Sequence, residues 1–363
     1  MSSFFGRELR LALFGQSHGE AIGVTIDGFP AGMTIDQPRL LREMARRAPG
    51  TDDLSTPRRE ADAPEILSGI LNGKTTGQPL CAVIRNTSQR SRDYGAGVAL
   101  LRPGHADYTG HIRYFGQEDW RGGGHFSGRL TAPLVFAGAL CSQWLEEHGV
   151  RIAAHIQQLG NLHDDSLLDA PAERDLSFLK AMRLPVLREG LDAAMADAIR
   201  AAHAEGDSVG GVIECRVTGL PAGLGAPFFD SVESELSHLL FSVPAVKGVS
   251  FGAGFGFAEL RGSEANDPFR MADGRIVTEG NRCGGVLGGI TDGMPVVFRC
   301  CVRATPSIAR QQDTVDMTRM ENASIAIRGR HDPCILPRAV PVIEAMAAIG
   351  MMDLWKERES CVR

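Results

Sequence analysis

The sequence predicts an α+β fold, with sheets packed around central helices and two halves that repeat one plan. Three observations carry this. First, Gly28-Phe29-Pro30-Ala31-Gly32 recurs as Gly219-Leu220-Pro221-Ala222-Gly223, an offset of 191 residues (28 to 219), and the run 69–80 recurs as 285–296, an offset of 216 residues (77 to 293). Similar offsets in the same order mean one duplicated unit of about half the chain, not the short period of a solenoid. Second, strands alternate with helices, but the Gly-rich turns lack the βαβ rhythm of a parallel nucleotide-binding sheet. Third, the 363 residues are 43% hydrophobic and contain no Pro/Ser-rich linker or low-complexity tract, so a single domain over 1–363 can bury a large core.

The elements follow in order. Leu11-Ala12-Leu13-Phe14 reads as a short apolar strand. Gly23-Val24-Thr25-Ile26-Asp27 alternates as a strand does and ends in the Gly28 turn. Residues 37–47 read as a helix and 79–86 as a strand, while 130–148 carry apolar residues at helical spacing. The second half mirrors this with a strand near 211–218, a helix near 230–241, a strand near 295–303 and a helix near 338–354. An Ala-rich amphipathic helix covers 189–205. The least patterned stretch, 155–185, marks an insert of about 151–204 between halves of about 8–150 and 205–355.

Composition excludes several classes. A net charge of −6 argues against general nucleic-acid binding. No apolar run reaches membrane-spanning length, and Met1 to Glu8 does not read as a signal peptide, so the expected compartment is the cytoplasm. The eight cysteines form no Cys-x-x-Cys and no zinc spacing, which predicts buried free thiols and no metal site. Gly252-Ala253-Gly254-Phe255-Gly256-Phe257 imitates a dinucleotide fingerprint. It has Phe257 at the sixth position and no suitable acidic residue beyond, so no such site is expected.

Four Gly-rich polar loops could carry chemistry. Gly15-Gln16-Ser17-His18-Gly19 places an imidazole, whose near-neutral pKa suits proton transfer, on a flexible backbone. Arg102-Pro103-Gly104-His105-Ala106-Asp107 is the second. Arg121-Gly122-Gly123-Gly124-His125-Phe126-Ser127-Gly128-Arg129 opens a helix, where backbone N–H groups make an anion site. Arg328-Gly329-Arg330-His331-Asp332-Pro333 joins two cations to a carboxylate. A single loop of this kind is more often a turn; four of them, with local arginine clusters such as Arg46-Arg47 and Arg58-Arg59 in an acidic chain, point to a small phosphate- or carboxylate-bearing ligand and acid/base chemistry.

These motifs together resemble the chorismate synthase family from end to end. The stretches 15–30, 124–140 and 330–346 are similar to its three signatures, and Arg102 to Thr109 and Pro244-Ala245-Val246-Lys247-Gly248 also match. The resemblance implies an anti-1,4-elimination of phosphate from 5-enolpyruvylshikimate 3-phosphate, giving chorismate at the last step of the shikimate pathway. It implies reduced FMN as cofactor without net redox change, a β-α-β sandwich and a homotetramer. Position by position, it implies that His18 is the acid near the leaving phosphate, that His105 lies beside the flavin, and that Asp332 helps accept the C6 proton. Arg47, Ser127, Arg129 and Arg330 would face substrate. His125, Phe126, Ser127, Pro244, Ala245, Gly288, Arg303, Ala304, Thr305, Pro306, Ser307 and Arg330 would contact the flavin.

The chain also departs from the pattern. Ala48 and Asp53 stand where arginines are usual, His125-Phe126 replaces Arg-Ser, and Gln16 replaces a common acidic residue. Asp53 either lines the site and repels the ligand, or points to solvent while Arg58 or Arg59 supplies the charge. The competing readings are a non-catalytic anion or flavin binder and an NAD(P)H-dependent flavin reductase. Retention of His18, His105 and Asp332 argues against the first, and no nicotinamide site is visible for the second.

Overall fold

The computed structural model describes residues 3–50, 52–56, 60–87, 99–171, 173–327, 329 and 331–361. The first half supplies β1 (Phe4–Phe5), β2 (Arg10–Gly15), β3 (Ala21–Asp27), α1 (Gln37–Arg47), β4 (Pro64–Ser68), the hairpin β5 (Ile70–Leu71) and β6 (Lys74–Thr75), β7 (Leu80–Arg85), α2 (Asp107–Arg113) and α3 (Thr131–Glu147). The second supplies β8 (Arg151–Leu159), β9 (Leu162–His163), α4 (Leu191–Ala204), β10 (Gly211–Thr218), α5 (Val232–Ser242), β11 (Val246–Phe251) and α6 (Gly262–Ala265). It continues with the hairpins β12 (Phe269–Ala272)–β13 (Arg275–Thr278) and β14 (Val286–Leu287)–β15 (Ile290–Thr291), β16 (Val296–Val302), the hairpin β17 (Gln311–Asp316)–β18 (Glu321–Ala326), and α7 (Leu336–Cys361).

Two antiparallel five-stranded sheets run β1-β2-β3-β7-β4 and β9-β8-β10-β16-β11, the same plan twice. Their inward positions alternate as the sequence predicts: Ile22, Val24 and Ile26 on β3, and Ile213, Cys215 and Val217 on β10, are completely buried. Between the sheets lie α3 and the first four turns of α7, apolar on all sides because they are covered on all sides. They approach so closely that a Cβ on Gly138 would sit 2.3 Å from the Cβ of Ala345.

The repeated turns match bond for bond. Thr75 Oγ1 donates to Pro30 O (2.6 Å) and accepts from Met33 N (3.0 Å); Thr291 Oγ1 donates to Pro221 O (2.7 Å) and accepts from Leu224 N (2.9 Å). Gly32 N reaches Thr75 O and Gly223 N reaches Thr291 O, each at 2.8 Å. Asn72-Gly73 and Gly288-Gly289 all have positive φ at the two hairpin tips, as a tight two-residue turn requires.

One boundary changes. The stretch 151–159, assigned to the insert, is β8, an inner strand of the second sheet, pairing with β10. Its Ala-Ala-His-Ile core shows no alternation because both faces are covered, by α7 on one side and by residues 164–188 on the other. The chain between β9 and α4 lies over the outer face of this sheet, where Leu167, Leu176 and Leu179 pack on Ala153. Cys141, Cys215, Cys300 and Cys334 are buried free thiols. No helix among the described residues is long and apolar enough to cross a membrane.

Candidate active site

His18 lies in the loop after β2 and is 6% exposed. Its ring rests on the backbone of Gly122, where a Cβ would come within 2.0 Å of the imidazole. Gly122, Gly123 and Gly124 all take positive φ, so the three-glycine run is what lets the second loop press against the first. Ser17 N donates to Gly124 O (3.0 Å), His125 Nδ1 meets Gly15 O (2.9 Å), and Asn86 Nδ2 donates to the carbonyls of Gln16 and Gly19 (2.9 Å each). The His18 loop is thus held by two elements distant in sequence.

Asn86 also accepts from Arg129 Nε (3.1 Å). Ser127 caps the turn that carries Arg129. Arg129 pairs with Asp62 and, at 3.3 Å, with Glu60. Arg47, the last residue of α1, donates to Asp62 Oδ2 (2.5 Å), Thr131 Oγ1 (3.1 Å) and Gly128 O (2.9 Å). Burial, with Arg338 and Arg129 nearby, pulls Arg47 down to about 10 against the attraction of Asp62, which leaves it charged at neutral pH. Burial works against ionised Asp62, but the two guanidiniums outweigh it and hold the carboxyl below its ordinary range.

Asp332 joins the same group. Its Oδ1 accepts from Thr56 N (2.9 Å) and its Oδ2 from Arg338 Nη1 (2.6 Å), while Arg338 Nε donates to Arg47 O (3.0 Å). Its neighbour His331 leads to His105, whose Nε2 lies 2.6 Å from Ser307 Oγ. Burial first, then the Arg102 cation, pulls His105 down to about 4; His331 and Arg303 add to this, against Asp107. The His105 ring is therefore neutral at pH 7. Arg303 donates to Gly104 O (3.3 Å) and, through its backbone, to Ala245 O (2.9 Å), next to Pro244. Ser208 Oγ holds Thr305 O (2.7 Å), between Ala304 and Pro306.

The structure therefore gathers His18, Arg47, Ser127, Arg129 and Asp332 into one network. His105 and 303–307 join it through His331. Phe126 packs on α2, against Gly110 and with its ring 6.1 Å from Tyr114. His125 spends one ring nitrogen on Gly15 O and the other on Ser3 Oγ (3.0 Å). Gly288 stands apart at the β14–β15 tip. That hairpin precedes β16, whereas Arg303 follows it, so the two are separated by roughly 20 Å of strand. Asp53 is 62% exposed and pairs with Arg200 of α4, so it points to solvent and not into the network. Arg58, Arg59, Arg328 and Arg330 lie outside the described residues.

Sequence reasoning missed Asp62, Glu60, Asn86 and Arg338. The available signal was electrostatic: arginines meant for a buried site need carboxylates, and Glu60 and Asp62 follow directly on an arginine cluster.

A model of the family described as chorismate synthase matches residues 9–355. The chain belongs to the chorismate synthase family. It is 46% identical over 357 residues to the chorismate synthase of Dehalococcoides mccartyi, covering 98% of this chain and 96% of that one. It is 47% identical over 351 residues to that of Methanosarcina mazei, covering 96% and 94%. A crystal structure of chorismate synthase superimposes with a TM-score of 0.76 at 28% identity, covering 98% of this chain and 93% of the other. The activity is accordingly phosphate elimination from 5-enolpyruvylshikimate 3-phosphate to chorismate in the shikimate pathway, with reduced FMN as the cofactor of chorismate synthases.

The residues present fit that cofactor. His331 Nε2 and Thr305 Oγ1 are buried polar atoms with no partner among the described residues, as expected where a polar ring or its substituents complete the bonding. Gly104, at φ +74, leaves its backbone open beside Arg303 and Pro306, where a Cβ would collide with both.

Proposed function

We propose that His18, His105 and Asp332 carry the elimination, with Arg47, Ser127, Arg129 and Arg330 on the substrate. The observation that supports this is the clasp between the His18 loop and the three-glycine turn. Asn86 ties that loop to Arg129 of the Arg129–Asp62–Arg47 network, where a phosphate would be bound.

His18 donates a proton to the phosphate oxygen as the C–O bond breaks and the electron pair leaves with oxygen. The C6 proton departs on the side of Asp332, whose carboxylate is held by Thr56 N–H and Arg338. Neutral His105, anchored by Ser307, presents a polar edge without a charge that would compete for the anion. Residues 244–245 and 303–307, with Ser127, hold the cofactor. When bound, reduced FMN would provide transient electron density for the elimination with no net change of oxidation state. His125 and Gly288 belong to this set by resemblance alone; in one chain neither is turned to His105, and Gly288 would need a neighbouring subunit. A homotetramer in the cytoplasm completes the reading, supported by exposed aromatic side chains such as Phe228, Phe229 and Phe255 and by the buried free thiols.

The test is anaerobic turnover with chemically reduced FMN, following phosphate release. The wild type forms chorismate, and His18→Ala loses about 10²-fold or more in kcat, the scale of a general acid, with FMN affinity little changed. Near-normal turnover of the variant removes His18 from the mechanism. NADPH with oxidised FMN, in a parallel assay, tests whether the chain reduces its own flavin.

A further inference from the structure

A groove of about 2040 Å³ runs along the outer face of the second sheet, between residues 173–183 and the β12–β13 hairpin. Arg216, on β10, lines it and is 1% exposed. Its Nη2 donates to Pro171 O (2.7 Å), but Nε and Nη1 have no hydrogen-bond partner among the described residues. Burial of this kind is rare for an arginine with no carboxylate hydrogen-bonded to it; Glu173 and Glu214 act on it only through space. The nearest carboxylate along the strand cannot serve. Glu214 Oε1 already accepts from Ser166 Oγ and Arg299 Nε, and its Oε2 from Leu167 N and faces His155 Nε2. Burial accordingly pushes the Arg216 guanidinium below its ordinary pKa. Each orphaned donor is unfavourable unless something fills it.

We propose that this groove is a second binding site, for a small oxyanion bearing phosphate or carboxylate groups, with Arg216 as its buried anchor. An anion supplies what the site lacks: acceptors for two N–H groups, at bonding distance from a guanidinium that Glu173 and Glu214 reach only through space. Arg151, Arg174 and Arg275 line the same groove, are exposed, and form no ion pair with a described residue, so they draw an anion toward the floor. Glu173 and Asp175, also exposed in the groove, act through space on Arg216 and Arg151 and weaken the field that an anion meets. The site is separate from the elimination chemistry. Arg216 pairs with Val297 near the start of β16, whereas Arg303 follows the end of that strand, roughly 20 Å away. The proposal does not depend on the roles assigned to His18, His105 or Asp332.

The test is calorimetric titration of the wild type and Arg216→Met with inorganic phosphate and, separately, succinate, at ionic strength held constant with chloride. The wild type shows a saturable event with at least one anion that weakens about tenfold or more in Arg216→Met, while chorismate formation is unchanged. The anion that shows the loss identifies phosphate or dicarboxylate as the preferred class. Phosphate is also the reaction product, so an event common to both proteins belongs to the active site. Identical isotherms with both anions overturn the proposal and leave water as the partner of Arg216. If Arg216→Met does not fold, selenate diffused into wild-type crystals decides: anomalous density at the guanidinium supports the site, and an empty groove overturns it.

Discussion

Two buried guanidiniums, from Arg47 and Arg129, meet one buried carboxylate at Asp62, whose backbone has φ +49. Asparagine tolerates that left-handed conformation as well as aspartate does, so Asp62→Asn removes the charge without straining the chain. Breaking a buried pair by deleting one partner costs about 3–5 kcal/mol. Urea unfolding should show a loss of this order for Asp62→Asn, with KM for substrate raised as the arginines lose their common anchor; a loss below about 1 kcal/mol would make Asp62 a bystander. His105 gives a pH prediction. Its folded-state value of about 4 lies below its ordinary 6.5, so the stability it contributes is complete above 6.5 and is lost as pH falls toward 4. The imidazole should keep neutral chemical shifts in NMR down to about pH 5, and His105→Asn should lose less stability than the wild type between pH 6.5 and 4. Protonation near 6.5 would contradict the neutral role.

At the scale of elements, the two hairpin-and-turn units offer a matched experiment. Thr75 and Thr291 each make one donated and one accepted bond to the preceding Gly-Pro turn, at nearly equal distances. Thr→Val at either position leaves a buried N–H and a part-buried C=O without these partners, costing about 1–3 kcal/mol. Thermal unfolding should show Thr75→Val and Thr291→Val destabilised by similar amounts, and a difference larger than the effect itself would mean that the two turns are alike only in outline. The elements hidden from sequence reading share a physical cause. β8 is covered on both faces, and β4 and β11 are edge strands, the former carrying Glu65, so none of the three shows the alternation that exposed β3 and β10. The turns were legible because only glycine, and at one tip asparagine, accepts their positive φ; the sequence has to write such a turn in glycine.

For the whole molecule, large aromatic side chains remain exposed on a single chain, with Phe115, Phe228, Phe229 and Phe255 the most prominent. Light scattering should find a particle near four times the 39.0 kDa chain mass. An active monomer would rule out the tetramer and, with it, any contribution of Gly288 from a neighbour.

The sequence by itself determined the duplicated α+β plan, the core helices, the reaction family and the identities of the chemical groups, because turn glycines, helical apolar spacing and the His- and Arg-bearing loops are local patterns. Tertiary structure alone decided which of those groups meet. His18 is set by a glycine run more than a hundred residues away, Arg47 and Arg129 by Asp62 between them, and Asp332 by Arg338, while Asp53 turns outward to Arg200 and Gly288 stays at the far end of a strand. The reason is that a charge is placed by its partner. An arginine records its own need for a counter-ion, but the carboxylate that meets it is chosen by how two sheets and two buried helices close on each other.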